Sequence, residues 1–385
     1  MASQTDDTAP ADISNWRSSP HNQWAFRNIR QLMPTAPIRA SGDVLELPEA
    51  PADLSGFRLP GPGGASLDLS GFMQATSGDG MVVLLDGEIV HEAYANGLDA
   101  HTPHILMSAT KSIVGLVAGI LKSQGELDLD APVSDYVPEV TFTAYQGASL
   151  QQLIDMRGGV LLDEHDQKTY LAATNWDPIT PGQEEIGLHS FYENMTSPPR
   201  PHGGPFSYVS ANTDLLGWAM ERATGETFAD LVSRLLWAPI GAQDEAFITL
   251  DRHGAPRCTG GICATARDFA RIGQVMVDGG QRAGAQVIPP AWIQDIATGG
   301  DHQAWATGEF ARGFAGMTMR YRDGWYVIDD EPQTLFAMGI HGQNLFVDRK
   351  NRLVIAKVSS QNQPIDYRAV PLTHQAVNEI RRCLL

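Results

Sequence analysis

The sequence element that leaves the fewest folds open to this chain is an apolar helical repeat directly after a serine and a lysine. Following Ser108-Ala109-Thr110-Lys111, apolar residues recur at helical spacing from Ile113 to Leu121, and Gly125 stands where a helix would end. This pattern predicts a buried helix that begins near Ser108. Since positions i and i+3 lie on the same face of a helix, the lysine amine can reach the serine hydroxyl.

Ser108 and Lys111 are the first candidate catalytic pair. The dipole of a buried helix stabilises negative charge on an oxygen at its start, and loss of water lowers the lysine pKa toward that of a working base. The alternative is that Ser108 only caps the helix and Lys111 is a solvated residue of its first turn. The apolar sequence on both sides favours catalysis, because a buried lysine is rare without a function.

A second polar segment, residues 206–212, precedes a helical pattern. Its tyrosine, Tyr208, can deliver a proton to a leaving group if an ammonium lies nearby, and Ser210 or Asn212 can hold Lys111 and the substrate by hydrogen bonds. Packing in the core is the alternative for this tyrosine.

A third segment, residues 337–344, has a strand pattern with a glycine on either side of Ile340. Because glycine allows close approach of a substrate to the backbone, we predict that the N–H groups of Ile340 and Ser108 form an oxyanion hole. His341 is a candidate substrate contact, and a core histidine bonded to backbone is an equally good interpretation.

The composition and charge of the chain limit the kinds of partner that it can bind. The chain has 385 residues, is 43% apolar and carries a formal net charge of −18, which allows a large core and argues against a nucleic-acid partner. Its longest apolar stretch is far short of the roughly 20 residues of a membrane-spanning helix. Residues 1–16 contain no Lys or Arg, so we expect no export signal and a cytoplasmic protein. No metal or cofactor motif is present, and we expect its three cysteines to be reduced.

Secondary-structure patterns follow the order sheet, helices, sheet. Asp86-Gly87 between two apolar runs predicts a hairpin, helical patterns dominate residues 127–250, and strand patterns return between Trp325 and Val358. The order predicts an α/β (α+β) fold in which an antiparallel sheet is flanked by helices and carries an inserted, mostly helical lobe. The predicted parts are an N-terminal extension that wraps the core (1–75), a discontinuous α/β domain (76–130 and 250–385) and a helical domain (131–249).

The three chemical segments, in this order, resemble the serine β-lactamase and penicillin-binding superfamily, in particular its class C-like branch. Within it, the chain is most similar to the 6-aminohexanoate-dimer hydrolases (nylon-oligomer hydrolases) and related carboxylesterases. Motifs such as His21–Phe26, Ser210–Asp214 and Gly339–Leu345 carry the resemblance from about residue 20 onward. It implies a β-lactamase-like fold and a cytoplasmic, dimeric amidase or carboxylesterase.

The resemblance also implies roles for individual residues. Ser108 would be the nucleophile, Lys111 and Tyr208 the acid/base groups, and the N–H groups of Ser108 and Ile340 the oxyanion hole.

The substrate-contacting positions match the family less well. Asp166 stands where amide-active members close a loop tyrosine over the substrate, with Tyr170 one helical turn later as a substitute. Asp177 falls at the position of an acidic residue for the substrate ammonium, and Thr259 replaces an Asn or His.

The sequence therefore predicts a serine hydrolase that cleaves amide or ester bonds of small linear substrates through an acyl-enzyme, without metal or cofactor. Three alternatives stay open: an acyltransferase of the same fold, a β-lactamase or DD-peptidase, and a non-catalytic ligand sensor. The peptidase alternative is weakened by Ala337-Met338-Gly339, which stands where a Lys-Thr-Gly strand is expected.

Overall fold

A computed structural model describes residues 10–182 and 184–385. Within these residues the α-helices are α1 (His21–Ala25), α2 (Leu69–Ala75), α3 (Thr110–Gln124), α4 (Leu150–Ile154), α5 (Glu164–Ala173), α6 (Leu188–Glu193), α7 (Ser210–Thr224), α8 (Phe228–Val232), α9 (Ala266–Val277), α10 (Pro290–Thr298), α11 (His302–Ala306) and α12 (Ala369–Leu384). The strands are β1 (Thr35–Ile38), β2 (Leu59–Pro60), β3 (Ser66–Leu67), β4 (Gly78–Leu85), β5 (Glu88–Tyr94), β6 (His104–Ile105), β7 (Ala246–Thr249), β8 (Ile262–Ala264), β9 (Gln281–Arg282), β10 (Ala285–Gln286), β11 (Met319–Arg322), β12 (Trp325–Ile328), β13 (Thr334–Gly339), β14 (Gln343–Asp348) and β15 (Leu353–Ser359).

The largest sheet has the strand order β11-β12-β13-β14-β15-β4-β5, with antiparallel neighbours throughout. Its last two strands form the predicted hairpin, whose turn residues Asp86 and Gly87 have φ angles of 52° and 86°. Two successive positive φ angles match the right-handed twist of the strands they join. The hairpin prediction is confirmed.

Helices cover both faces of this sheet. Successive residues of a strand point to opposite faces, and β4 accordingly contributes Val82 to the core shared with α3 and α9 and Val83 to the core shared with α2 and α12. Both side chains are fully buried. Burial on each side is worth roughly 1.5–3 kcal/mol per valine or leucine, which fixes the register of the strands that hold the candidate site.

A second, smaller sheet runs in the order β1-β7-β8-β6. It links the helices α4–α8 of the middle of the chain to the segment that enters α3. Its edge strand β1 pairs with β7 through four residue pairs from Thr35↔Thr249 to Ile38↔Ala246. The sequence pattern does not predict this strand, because two-residue alternation is interrupted by Pro37.

The predicted fold class is confirmed: helices flank antiparallel sheets. The proposed boundaries at 75, 130 and 250 stay a prediction. Cys258, Cys263 and Cys383 are free thiols. None of the helices in residues 10–182 and 184–385 combines the length and the apolar character needed to cross a bilayer.

Candidate active site

Ser108 lies in a short 3₁₀ turn, Met107–Ala109, that leads from β6 into α3 and is called the Ser108 turn below. The backbone N–H of Leu106 donates a 2.8 Å hydrogen bond to the carbonyl of Ile262, so the turn leaves directly from the edge of the smaller sheet. Met107 is fully buried yet has a φ of 47°. A non-glycine residue at positive φ costs free energy, so the surroundings must hold the turn in place.

Two glycines hold the Ser108 turn from opposite sides. A Cβ atom on Gly339, at the end of β13, would lie 2.5 Å from the carbonyl oxygen of Leu106. A Cβ atom on Gly260 would lie 2.9 Å from the Trp176 ring and 3.3 Å from the carbonyl carbon of Met107. Only glycine permits both approaches without a shift of the backbone.

Lys111 is buried and points back at the serine. Its Nζ lies 3.0 Å from the Ser108 Oγ and donates a 2.8 Å hydrogen bond to the carbonyl of Thr259. Burial lowers the pKa of Lys111 well below its usual value, and the positive charge of Arg257 lowers it further. A neutral amine at this distance can take the serine proton.

Tyr208 completes the cluster. Lys111 Nζ lies 4.7 Å from the centroid of its ring, and the ring stacks on Phe310 at 5.1 Å. The carboxylate of Glu309 accepts a hydrogen bond from the Tyr208 backbone N–H. Burial raises the pKa of the phenol, and a hydrogen bond with Ser108 only partly opposes this. The phenol therefore stays protonated near neutral pH and is placed to act as an acid.

A buried carboxylate on α7 positions the lysine indirectly. Asp214 Oδ1 accepts a 2.8 Å hydrogen bond from the Thr259 backbone N–H, and Asp214 Oδ2 forms an ion pair with Arg257. The Tyr170 hydroxyl also donates to Asp214 Oδ2, at 2.7 Å. Since the Thr259 carbonyl accepts from Lys111, Asp214 holds the residue whose next peptide group orients the amine.

The predicted oxyanion residue, Ile340, begins a 3₁₀ turn, Ile340–Gly342, that packs against the Ser108 turn. The buried amide of Gln343 holds this turn. Its Nε2 donates to the carbonyls of Ile340 (3.2 Å) and Ser359 (2.7 Å), and its Oε1 accepts from the Ser359 N–H (3.0 Å).

Two cavities meet at this cluster, and both are lined by Ser108, Tyr208, Glu309 and Ile340. The polar chamber, of about 340 Å³, is lined further by Arg17, Gln167, Tyr170, Trp176, Asp177 and Thr259. The apolar chamber, of about 390 Å³, is lined further by Phe310, Phe314, Tyr326, Met338, Ile365 and Tyr367. The serine hydroxyl thus stands between two spaces of different character.

Residues 67–377 match the family described as Beta-lactamase. The chain belongs to the β-lactamase family. It is 34% identical over 360 residues to the 6-aminohexanoate-dimer hydrolase of Paenarthrobacter ureafaciens, covering 91% of this chain and 88% of that protein. Over 154 residues it is 30% identical to the esterase EstB of Burkholderia gladioli, which covers 38% of each chain.

Solved structures agree with this membership. A Bacillus anthracis protein provisionally described as a 6-aminohexanoate-dimer hydrolase superposes with a TM-score of 0.88 at 25% identity, covering 97% of this chain and 98% of that one. EstCE1, described as a hydrolase with promiscuous acyltransferase activity, superposes with a TM-score of 0.61 at 17% identity over 80% of this chain and 98% of its own. The latter likeness shows the shared fold.

Two residues of this β-lactamase-family chain that were predicted to contact the substrate have side chains that point away from the polar chamber. Asn212 is fully buried, and its Oδ1 accepts a 3.1 Å hydrogen bond from Tyr145. Asp166 is also buried, and its carboxylate accepts hydrogen bonds from the Thr196 and Ser197 backbone N–H groups at 3.1 and 2.7 Å. Neither side chain lines the polar chamber as the structure describes it. We therefore do not retain them as substrate contacts.

Three other predicted residues line the polar chamber but have protein partners. The Tyr170 hydroxyl is bound to Asp214, as noted, and the carbonyl of Ser210 accepts a 2.9 Å hydrogen bond from Thr259 Oγ1. Asp177 forms an ion pair with Arg17. The carbonyl of Thr259 accepts the hydrogen bond from Lys111, so Thr259 is a positioning residue.

The contacts of His341 favour the second interpretation given above, that of a core histidine bonded to backbone. Its Nδ1 lies 2.6 Å from the carbonyl of Gln361 and its ring packs edge-on against Phe26, with centroids 5.1 Å apart. Burial lowers the pKa of the ring. His341 lies outside the linings of both chambers in the described part of the chain, and it anchors the turn that carries Ile340.

Four residues of the site were not predicted from the sequence: Arg17, Asp214, Arg257 and Glu309. Asp214 belongs to the quoted Ser210–Asp214 motif, and its position four residues after Ser210 on a helix that starts at the site could have identified it. The other three come from distant loops and carry no local signal.

Proposed function

We propose that this chain is a serine hydrolase that cleaves amide or ester bonds of small linear substrates through an acyl-enzyme on Ser108. The observation that carries the proposal is the 3.0 Å separation between Ser108 Oγ and the buried Lys111 Nζ, at a point where two chambers meet. A hydroxyl beside a desolvated amine is an activated nucleophile.

The first half-reaction forms the acyl-enzyme. Neutral Lys111 takes the Oγ proton as Oγ attacks the substrate carbonyl carbon, and the tetrahedral oxyanion is bound by the N–H groups of Ser108 and Ile340. The bond to the leaving amine or alcohol breaks as the Tyr208 phenol protonates it. The proton held by Lys111 then returns to Tyr208, whose ring lies beside the amine, so that the serine proton has in effect moved to the leaving group.

The second half-reaction restores the enzyme. Water loses a proton to the same basic groups and attacks the ester carbon, and the bond to Oγ breaks with return of that proton to the serine. A carboxylic acid is released. Each donated oxyanion hydrogen bond is worth roughly 2.7–4 kcal/mol of transition-state stabilisation in enzymes of this kind.

The two chambers support a linear substrate. Since the polar and apolar chambers share Ser108, the acyl half and the leaving half of an extended molecule can occupy one chamber each. The relative from P. ureafaciens is named a 6-aminohexanoate-dimer hydrolase and the B. gladioli relative an esterase. Amino acid units join through amide bonds, so the two names favour both bond types. A cytoplasmic location and a homodimer remain proposals that rest on the resemblance.

The test is turnover of p-nitrophenyl butyrate by Ser108→Ala. We expect the variant to lose turnover while its circular dichroism and melting temperature match the wild type. Ser123→Ala is the matched control, because Ser123 lies near the end of α3, the helix that follows the Ser108 turn, and its hydroxyl donates to the carbonyl of Ile120. Substantial activity in Ser108→Ala would refute the proposal.

A further inference from the structure

Arg17 enters the polar chamber from the N-terminal segment, which is anchored by its neighbour Trp16. The Trp16 ring is buried, donates a 2.9 Å hydrogen bond from Nε1 to the carbonyl of Trp176, and packs edge-on against the Trp176 ring with centroids 5.3 Å apart. Since an anchored backbone restricts the side chain that follows it, the position of Arg17 is set by the fold.

The Arg17 guanidinium is held at three places. It forms an ion pair with Asp177, and its Cζ lies 5.5 Å from the Trp16 ring centroid and 6.0 Å from that of Trp176. The side chains of Arg17 and Asp177 are 30% and 35% exposed. The pair is therefore open to the chamber, and a bound substrate would meet the pair and not a lone carboxylate.

Arg252 adds a positive charge beside Asp177, since its Nη2 donates a 3.2 Å hydrogen bond to the Asp177 carbonyl. The remaining charges that line the polar chamber are held away from this end. Arg257 is paired with the buried Asp214. Glu309 lies at the opposite, catalytic end, where its carboxylate is bonded to the Tyr208 backbone. A substrate ammonium that reached Asp177 would meet the Arg17 charge at the same place and would lose its water for no net attraction.

Apolar side chains surround the space between these two ends. Leu161 and Leu171 both line the polar chamber, and they are 52% and 40% exposed. Large aliphatic side chains exposed inside a cavity gain free energy when an alkyl chain covers them. The chamber is thus matched to a hydrocarbon chain with an uncharged end.

We propose that Arg17 is a specificity-determining residue, which cancels the charge of Asp177 so that this hydrolase selects linear amides or esters with an uncharged alkyl end in the polar chamber and rejects those with an ammonium there. The inference rests on the proposed function. It reverses the sequence-based expectation that Asp177 binds a substrate ammonium.

Two isosteric substrate pairs test this selection. The first places the charge in the acyl half, as p-nitrophenyl heptanoate against p-nitrophenyl 6-aminohexanoate. The second places it in the leaving half, as heptyl acetate against 6-aminohexyl acetate. Since an ammonium loses its water in either chamber, we expect the wild type to prefer the uncharged member in both pairs, by about ten-fold or more in kcat/KM.

Removal of Arg17 should change that preference. In Arg17→Gln we expect the ratio of charged to uncharged kcat/KM to rise about ten-fold in one pair only, the pair whose charged end occupies the polar chamber, because the Asp177 carboxylate loses its ion-pair partner. The double variant Arg17→Gln/Asp177→Asn should lose this gain. Arg30→Gln is the matched control, since Arg30 is exposed on the same N-terminal segment and stacks on Phe247 outside the chamber.

The outcomes separate the two proposals. Equal use of charged and uncharged members in both pairs by the wild type, or an unchanged ratio in a folded Arg17→Gln, would overturn the role of Arg17 while turnover of the uncharged esters continued. Failure of the proposed function would appear instead as turnover of those esters by Ser108→Ala.

Discussion

The carbonyl oxygen of Thr259 accepts a 2.8 Å hydrogen bond from Lys111 Nζ. The amine is thereby held against Ser108 by a backbone group that cannot take its proton. A carboxylate in that place would stabilise the ammonium and raise the lysine pKa, whereas a carbonyl supplies orientation at a smaller electrostatic cost. Asp214 stands one peptide away, where it binds the Thr259 N–H.

Asp214→Asn should affect both the stability of the fold and the pH dependence of catalysis, and the two effects can be measured separately. Breaking a buried ion pair from one side costs roughly 3–5 kcal/mol of unfolding free energy, so we expect a large fall in the urea midpoint. Arg257 already lowers the pKa of Lys111 in the wild type. Without the Asp214 charge this effect should grow, so the acid limb of the kcat/KM profile should move to lower pH in the remaining folded enzyme. A limb that stayed in place would show that Asp214 has no electrostatic link to Lys111.

Lys111→Arg keeps the positive charge but removes the base. A guanidinium stays protonated over the working pH range and cannot accept the serine proton, so we expect kcat to fall by roughly 10²- to 10⁴-fold. In the wild type, kcat/KM should rise with pH as Lys111 deprotonates, at a pH well below the usual lysine range because burial lowers its pKa. Lys111→Arg should lack this limb. Near-normal kcat in Lys111→Arg would exclude the lysine as the base.

Gly339→Ala tests the packing that holds the nucleophile. The new Cβ would stand 2.5 Å from the Leu106 carbonyl, so the Ser108 turn must shift, and a displacement of about 1 Å at a reacting group can cost roughly 10²-fold in rate. We expect kcat to fall with little change in KM. Gly204→Ala is the control, because in the described residues no atom beyond its two chain neighbours lies within 4 Å of its added Cβ. Equal activity of both variants would contradict this account of the turn.

His374→Phe addresses acid stability. The His374 ring lies among Phe314, Phe336 and Phe346, with centroids 5.7, 5.1 and 5.3 Å away, and burial lowers its pKa to about 4 from 6.5. As the pH falls, His374 takes up a proton in the unfolded chain before it does so in the folded protein. The free energy of unfolding therefore falls by roughly 2–3 kcal/mol in all between about pH 6.5 and pH 4. His374→Phe should remove that part of the loss, measured as the difference between urea unfolding free energies at pH 7 and pH 4.5. Identical losses in both proteins would place the acid sensitivity elsewhere.

Local sequence predicts those parts of the fold that local contacts stabilise. The helical repeat after Lys111 and the turn at Asp86-Gly87 each contain the residues that determine them, and α3 and the β4–β5 hairpin were predicted within a few residues. The pair of Ser108 and Lys111 is predictable for the same reason, because a spacing of three residues at the start of a helix places both side chains on one face.

The remainder of the site depends on contacts between distant segments. Arg17 and Asp177 are 160 residues apart, and Arg257 and Asp214 are 43 apart. No periodicity brings such residues together, and their pairing changes the character of the chamber. Proximity in sequence can also mislead. Asn212 is only four residues from Tyr208, but α7 directs its side chain away from the site, toward Tyr145.

In the proposed reaction the substrate acyl group becomes bonded to Ser108 Oγ. Intact-mass spectrometry of enzyme quenched in acid during turnover of p-nitrophenyl butyrate measures this most directly, with peptide mapping to locate the adduct. We expect a population heavier by one butyryl group, mapped to Ser108 and absent from Ser108→Ala. Butyryl groups located only on other residues, or an equal adduct in Ser108→Ala, would contradict it.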